Sequence, residues 1–180
     1  LVSPFRTSFG TEHERDVLLV RALTGEAEGW GECVAMSEPR YSSEYVDGAA
    51  EVIRRFLVPA LAALPSADPV AVEPVFAEIK GHPMAKAAVQ TALLDAQLRA
   101  AGLSFGGYLG AVRERVPAGV SVGIMDSIPA LLDAVAMYLG QGYLRIKLKI
   151  EPGWDVEPVR AVRERFGDGV LLQVDANTAY

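Results

Sequence analysis

The second half of the chain alternates short apolar runs with amphipathic segments. The runs at 116–124, 143–150 and 170–176 are rich in aliphatic and small residues and predict β-strands. Between them, residues 127–142 and 155–169 carry apolar side chains at helical spacing and predict helices. Because strand–helix–strand alternation of this kind implies parallel strands with helical crossovers, this half predicts a parallel α/β sheet. An open doubly wound sheet and the start of a (β/α) barrel both fit the pattern.

The first half of the chain shows a different pattern. An apolar strand, a Gly-containing turn and a short return over residues 16–32 predict a β-hairpin. Residues 3–10 and 35–44 predict loops, and apolar residues at helical spacing predict helices over 45–64 and within 69–101. This half therefore predicts a mixture of antiparallel strands and helices.

Two lysines interrupt the apolar pattern of the second predicted strand. Lys147 and Lys149 alternate with Ile146 and Leu148, so the lysines share one face of the strand. Because parallel strands are usually covered on both faces, two ammonium groups there would be costly without partners. One interpretation is an edge strand with a solvated lysine face. The other is a functional pair, since burial and a neighbouring like charge lower a lysine's pKa and produce a base near neutral pH.

Polar side chains also end the third predicted strand. Asp175 and Asn177 follow an apolar run, at the strand end that carries the chemistry in parallel α/β folds. A carboxylate there is a natural oxygen ligand for Mg²⁺. The alternative is an aspartate that opens a βα loop or caps the next helix. A lysine pair on one strand and an aspartate ending the next are more informative together than either alone.

Composition restricts the function classes. The 180 residues carry a formal net charge of −6, which argues against a general nucleic-acid or anionic-membrane partner. No apolar run reaches the roughly 18 residues of a membrane span. Cys33 is the single cysteine, and a reducing, cytoplasmic location fits. Neither end resembles a natural terminus, so we expect an internal fragment of a longer protein.

The segments "RIKLKIEPGWD" and "LLQVDANTAY" together resemble the enolase superfamily, in its muconate-lactonising subgroup. "PFRTSFG", "GWGECVAM" and "YSSEY" narrow the resemblance to the N-acylamino acid racemase / o-succinylbenzoate synthase family. The resemblance implies α/β plus α+β architecture. An α+β capping domain would occupy residues 1–109, and the first three βα units of a modified, incomplete TIM barrel would occupy 110–180.

The same resemblance implies roles for the polar residues. Lys149 would be the general base or acid at the α-carbon of a carboxylate substrate, and Lys147 would contact the substrate carboxylate beside it. Asp175 would be the first of three carboxylates that bind Mg²⁺, with Mn²⁺ or Co²⁺ as alternatives, and Asn177 would support that site. The implied substrate is a small-molecule carboxylate, either an N-acylamino acid or a cyclohexadiene carboxylate. The full-length protein is expected to be a homo-oligomer.

Two loops of the capping domain would set specificity in this family. Phe5 and Phe9 would belong to the first loop, and Met36 and Tyr41 to the second. Ser121, on the first barrel strand, could also face the substrate. Ordinary packing is the alternative explanation for each of these five side chains.

Other functions remain open from the sequence. Dipeptide epimerase and muconate cycloisomerase share the lysine pair and the aspartate, and a non-catalytic truncated capping or binding domain is a further alternative. An unrelated doubly wound binding domain is disfavoured, because no Gly-rich phosphate loop follows a predicted strand. The family's other metal carboxylates and its second lysine lie on later strands. We therefore expect this chain by itself not to be a competent enzyme.

Overall fold

The computed structural model describes residues 1–66 and 68–180 and divides into two compact units. Unit 1 comprises Leu1–Glu14 and Arg113–Tyr180, and unit 2 comprises Arg15–Val112. The N-terminal segment therefore groups with the second half of the chain. The domain boundary expected from the sequence stays a prediction for the complete protein.

The N-terminal segment of unit 1 forms a small hairpin. Strands β1 (Phe5–Thr7) and β2 (Gly10–Glu12) pair antiparallel, and Thr7 lies opposite Gly10. Gly10 has φ +127°, a conformation that favours glycine. The sequence predicted a loop over residues 3–10, and this prediction was wrong for the residues that form these two strands. Three paired residues on each side are too few to produce a recognisable period of two.

Unit 2 combines an antiparallel strand pair with helices. Strands β3 (Leu18–Leu23) and β4 (Glu28–Cys33) confirm the predicted hairpin. The helices are α1 (Val46–Val52), α2 (Val58–Ala62), α3 (Val72–Glu78), α4 (Pro83–Ala100) and α5 (Phe105–Tyr108), and a π-helical segment at Ile53–Leu57 joins α1 to α2.

The longest helix lies directly on the backbone of β4. A Cβ atom at Gly31 would come 1.9 Å from the carbonyl oxygen of Ala88, and one at Gly29 would come 2.2 Å from that of Ala92. Such distances are far inside van der Waals contact, so only glycine fits at either position. This close approach helps to fix α4 against the strands.

A side chain from a distant loop caps the N-terminus of α4. His82, the residue before the helix, has φ 56° and no capping hydrogen bond from its own side chain. Instead, the buried Glu44 carboxylate accepts hydrogen bonds from the backbone N–H groups of Met84 (2.8 Å) and Ala85 (3.0 Å). Two of the unpaired donors of the first turn are satisfied in this way.

The second half of unit 1 is a parallel sheet with helical crossovers. Its elements are β5 (Gly119–Val122), α6 (Ile128–Gly140), β6 (Arg145–Lys149), α7 (Val156–Phe166) and β7 (Leu171–Asp175). The strand order is β5-β6-β7. Both strand pairs are parallel, which confirms the parallel sheet that the sequence predicted. One apolar cluster holds the sheet and helices together; its buried members are Val122, Leu131, Val135, Ile146, Leu148 and Val162.

The ends of α7 also follow the sequence. The Asp155 side chain accepts from the Val156 N–H, and Gly167 ends the helix with φ 75°. Aspartate and glycine are residue types that favour these two capping positions. None of the helices within residues 1–66 and 68–180 combines the length and apolar character that crossing a membrane requires.

Candidate functional site

The lysine pair lies on the face of β6 opposite its apolar residues. Ile146 and Leu148 are fully buried in the core of unit 1, so alternation directs Lys147 and Lys149 to the other face. The parallel register sets Lys147 beside Gln173 and Lys149 beside Asp175 on the neighbouring strand β7. Lys149 is only 8% exposed, which excludes a solvated lysine face at that position in this structure.

Asp175 supplies the negative charge for both lysines. The Lys149 Nζ donates to Asp175 Oδ2 at 2.7 Å, and the Lys147 Nζ lies 3.3 Å from the same oxygen. Lys149 also donates to Asn177 Oδ1 at 2.7 Å. The hydrogen bond from Lys149, followed by one from the backbone N–H of Asn177, lowers the pKa of Asp175 to about 2. The carboxylate is therefore ionised at neutral pH.

A tight turn presents Asn177 to the lysine. Asn177 has φ 47° and Thr178 has φ 65°, and the Ala179 N–H donates to the Ala176 carbonyl oxygen at 3.1 Å. Positive φ at both central residues is the pattern of a type I′ turn. Asparagine tolerates this conformation, whereas a β-branched threonine is strained in it. The turn also directs the Asn177 N–H to Asp175 Oδ1 at 2.9 Å.

Ser121 lies in the same row of the sheet as Lys147. The register pairs Ser121 with Lys147, which in turn pairs with Gln173. Among the described residues, the buried Ser121 Oγ has no hydrogen-bond partner. A polar cavity of about 180 Å³ opens here; its lining residues are Gly119, Val120, Ser121, Arg145, Lys147 and Gln173. A buried hydroxyl group without a partner is unusual in a folded protein, and the substrate-binding role of Ser121 stays a prediction.

The structure places the predicted specificity residues in both units. Phe5 lies on β1 of unit 1, and its ring edge would be 3.4 Å from a Cβ atom at Gly123, just after β5. Phe9 lies in the turn between β1 and β2 and is 44% exposed. Met36 and Tyr41 belong to unit 2. A shared pocket for these four side chains stays a prediction.

Several polar residues at the strand ends were missed by sequence reasoning. Ser8 donates from Oγ to the Ala176 carbonyl oxygen at 2.7 Å, and Arg6 donates from Nη2 to Glu151 Oε1 at 3.0 Å. Glu151 follows the lysine pair at the same two-residue spacing, which is a signal that alternation could have used. The two hairpin residues carry no local signal, because their partners lie 145 or more positions away.

The described residues by themselves do not form a complete metal site. Within residues 1–66 and 68–180, no three His, Cys, Asp or Glu side chains gather so that they could hold a metal ion. Asp175 and Asn177 offer a carboxylate and an amide oxygen, which are ligands that Mg²⁺ accepts. Since Mg²⁺ requires close to octahedral coordination, other ligands must complete such a site. The donor set therefore fits a divalent cation in part.

Comparison with known proteins agrees with this arrangement. Residues 1–110 match the model of the mandelate racemase / muconate lactonizing enzyme N-terminal domain, and residues 130–180 match the enolase C-terminal domain-like model. The fold thus consists of an enolase-type capping domain and the first strands of the barrel. The chain belongs to the mandelate racemase / muconate lactonizing enzyme family of the enolase superfamily.

Several individual proteins are similar to this chain over its whole length. An N-succinylamino acid racemase from an Amycolatopsis species is 66% identical over 180 residues, which are 100% of this chain and 49% of that protein. An o-succinylbenzoate synthase from Geobacillus kaustophilus is 41% identical over 100% of this chain and 48% of its own length. The crystal structure of an enolase superfamily member from Listeria innocua superposes with a TM-score of 0.91 at 37% identity, over 100% of this chain and 48% of that one. The chain spans about half the length of the curated relatives it matches.

Proposed function

We propose that the complete protein is a divalent-metal-dependent enzyme that removes the proton α to a carboxylate through an enediolate. We propose racemisation of N-acylamino acids of the N-succinyl class as its reaction. One observation carries the proposal: Lys147 and Lys149 both contact Asp175 across adjacent parallel strands. The 66% identity to an N-succinylamino acid racemase, over the whole of this chain, supports the choice of substrate.

The chemistry explains why these residue types occur together. A proton α to a carboxylate is weakly acidic, and its removal leaves two negative charges on one small group. In the proposed site, Lys149 in its neutral form takes this proton from one face of the substrate. Inversion requires that an acid on the opposite face returns a proton, and in this proposal that acid is the second lysine expected on a later strand of the complete protein. For the opposite enantiomer the roles reverse, and Lys149 as an ammonium group is the donor. Lys147 is the more exposed of the two and is available to bind the substrate carboxylate.

Asp175 would be one ligand of the metal ion, with Asn177 supporting it. A divalent cation bound there would supply positive charge that stabilises an enediolate, as is characteristic of enolase-superfamily sites. The hydrogen bonds from Lys149 and from the Asn177 N–H keep the Asp175 carboxylate ionised and fix its orientation. This metal ligand is therefore already oriented before a cation binds.

Synthesis of o-succinylbenzoate is the second candidate reaction. It is supported by the 41% identity to an o-succinylbenzoate synthase over the whole of this chain. Both reactions require a base beside a carboxylate, so the lysine pair suits either one. The acyl or ring portion of the substrate must distinguish them, and in this proposal Phe5, Phe9, Met36 and Tyr41 contact that portion.

The test uses the protein at its natural length, with Mg²⁺ and a single enantiomer of an N-succinylamino acid in D₂O. We expect loss of optical rotation together with exchange of the α-proton in NMR spectra. Changing Lys149 to alanine should lower kcat by about 10²- to 10⁴-fold, the usual contribution of a general acid–base group. Chelation of the metal should abolish the exchange.

The matched control is Lys80→Ala, a change in a lysine of unit 2 whose Nζ donates to the carbonyl oxygen of Ala77 in α3. This variant should keep the parent activity. An unchanged rate in Lys149→Ala would contradict the assigned base. No turnover by the parent protein, combined with conversion of a cyclohexadiene carboxylate, a dipeptide or a muconate, would replace racemisation with that reaction.

A further inference from the structure

The β1–β2 hairpin contacts the chain just beyond all three strands of the parallel sheet. The Ile124 N–H, which follows β5, donates to the Arg6 carbonyl oxygen at 2.9 Å. The Arg6 guanidinium donates to Glu151, which follows β6, and Ser8 Oγ donates to the Ala176 carbonyl oxygen, which follows β7. The hairpin is thus held at three points at the carboxyl ends of the parallel strands, where Lys149 and Asp175 lie.

The hairpin packs closely against the chain that follows β5. A Cβ atom at Gly123 would lie 3.1 Å from the Arg6 carbonyl oxygen and 3.3 Å from the Arg6 nitrogen. The hairpin backbone therefore rests directly on the backbone of the sheet. Its position is determined by these contacts and not by a flexible side chain.

The contact with the end of β6 is an ion pair. Arg6 Nη2 lies 3.0 Å from Glu151 Oε1, with side-chain exposures of 43% and 26%. A second carboxylate, Asp126, lies 3.8 Å from the other guanidinium nitrogen but is fully exposed. A charged hydrogen bond that is partly shielded from water is the stronger of the two. Glu151 is therefore the main partner of Arg6.

We propose that Arg6 and Glu151 are a positioning pair that determines specificity for the acyl portion of the substrate. Glu151 is two residues beyond Lys149, and Ala176, which accepts from Ser8, adjoins Asp175. The pair therefore ties the segment that contains Phe5 and Phe9 to the chain that carries the candidate base and metal ligand. This inference rests on the function proposed above. If the hairpin shifts, the contacts with the acyl group change, whereas the lysine and the carboxylate keep their own bonds.

The first test follows the hairpin itself and does not depend on activity. Hydrogen exchange of residues 1–14 is measured by mass spectrometry in the full-length protein and in Arg6→Met, Glu151→Gln and the double variant. Each single change should accelerate exchange by up to about fivefold, the factor expected for the loss of one partly exposed ion pair. The double variant should add little to either single change, since both remove the same bond. Exchange at the parent rate in both single variants would overturn the pairing.

The second test asks whether the pair acts on the substrate. With N-acylamino acids that differ in acyl length, Arg6→Met should raise KM for the preferred acyl group about fivefold and leave kcat within about twofold. Arg6→Lys should recover most of this loss. A uniform fall in kcat for all acyl groups, or unchanged KM values, would reduce the pair to a structural contact and overturn the proposal.

The control variant is Arg21→Met, which removes an ion pair with Glu28 between β3 and β4 of unit 2. It should leave both the exchange of residues 1–14 and the acyl preference unchanged. If the parent protein fails to turn over any N-acylamino acid, the proposed function fails. The exchange experiment then still decides whether Arg6 and Glu151 hold the hairpin.

Discussion

Asp175 contributes one negative charge to two lysines, so its ionisation stabilises the folded chain. Its pKa falls from 3.8 to about 2 in the folded chain, chiefly because Lys149 donates a hydrogen bond to it. A carboxyl group with a lowered pKa stabilises the folded state fully above the unfolded value. That stabilisation is lost as the pH falls through the folded value. The relevant window therefore runs from about pH 4 down to about pH 2.

The change that tests this is Asp175→Asn, because asparagine has the shape of the protonated acid. We expect the free energy of unfolding at pH 6 to be higher for the parent protein than for the variant, and this difference to shrink as the pH is lowered through this window. Urea unfolding in the presence of a chelator measures both free energies. The control is Asp133→Asn on α6, for which we expect no such dependence on pH. A difference that stays constant between pH 6 and pH 2.5 would refute the account.

Individual residues differ in how well the sequence anticipates them. Lys149 and Asp175 follow from strand alternation and from the position of strand ends, both of which are local rules. The partners of Arg6 do not follow from such rules, since a pairing across 145 positions depends on the fold. Helical spacing predicted α7 but not where its packing begins. Val156 is 63% exposed, because the first residue of the helix precedes the region that packs on the sheet.

At the scale of elements, the capping of α4 by Glu44 offers a direct test. Glu44→Ala would leave the Met84 and Ala85 N–H groups without their acceptor in a buried place. We expect a loss of about 2 kcal/mol in the free energy of unfolding. Urea denaturation measures this, and Glu51→Ala on α1 is the control, because its ion pair with Arg55 is exposed. Equal losses in the two variants would argue against the cap.

The elements that the sequence anticipated share strong local signals. The alternation β5-α6-β6-α7-β7 has clear periods, and the α7 caps at Asp155 and Gly167 are residues with known local preferences. The π-helical segment at Ile53–Leu57 and the β1–β2 hairpin were not anticipated. A π-helix has no distinct sequence period, and a three-residue strand is stabilised by the surface on which it lies.

At the scale of the whole molecule, the parallel sheet ends at β7. Leu171 and Val174 on this strand are 63% and 46% exposed, as the expectation of an incomplete barrel requires. The alternation of elements predicted a parallel α/β sheet but left an open sheet and a barrel both possible. The resemblance of the segments around the lysine pair and Asp175 to the enolase superfamily favoured the barrel. The completeness of the site could not be read in this way, because the chain spans about half the length of the relatives it matches.

Residues 1–180 expressed alone would have to act without a completed metal site. Among the described residues, no three acidic, histidine or cysteine side chains gather so that they could hold a metal ion, and Asp175 is the carboxylate that contacts the lysine pair. A single carboxylate binds Mg²⁺ weakly, since the ion gives up its water reluctantly. Without the cation, the positive charge available to an enediolate comes from the lysines alone, and Asp175 already neutralises part of it. We therefore expect α-proton exchange in D₂O to be undetectable for residues 1–180 and readily measured for the complete protein. Exchange by the 180-residue chain that disappears in its Lys149→Ala variant would show instead that the lysine pair suffices as a base without a completed metal site.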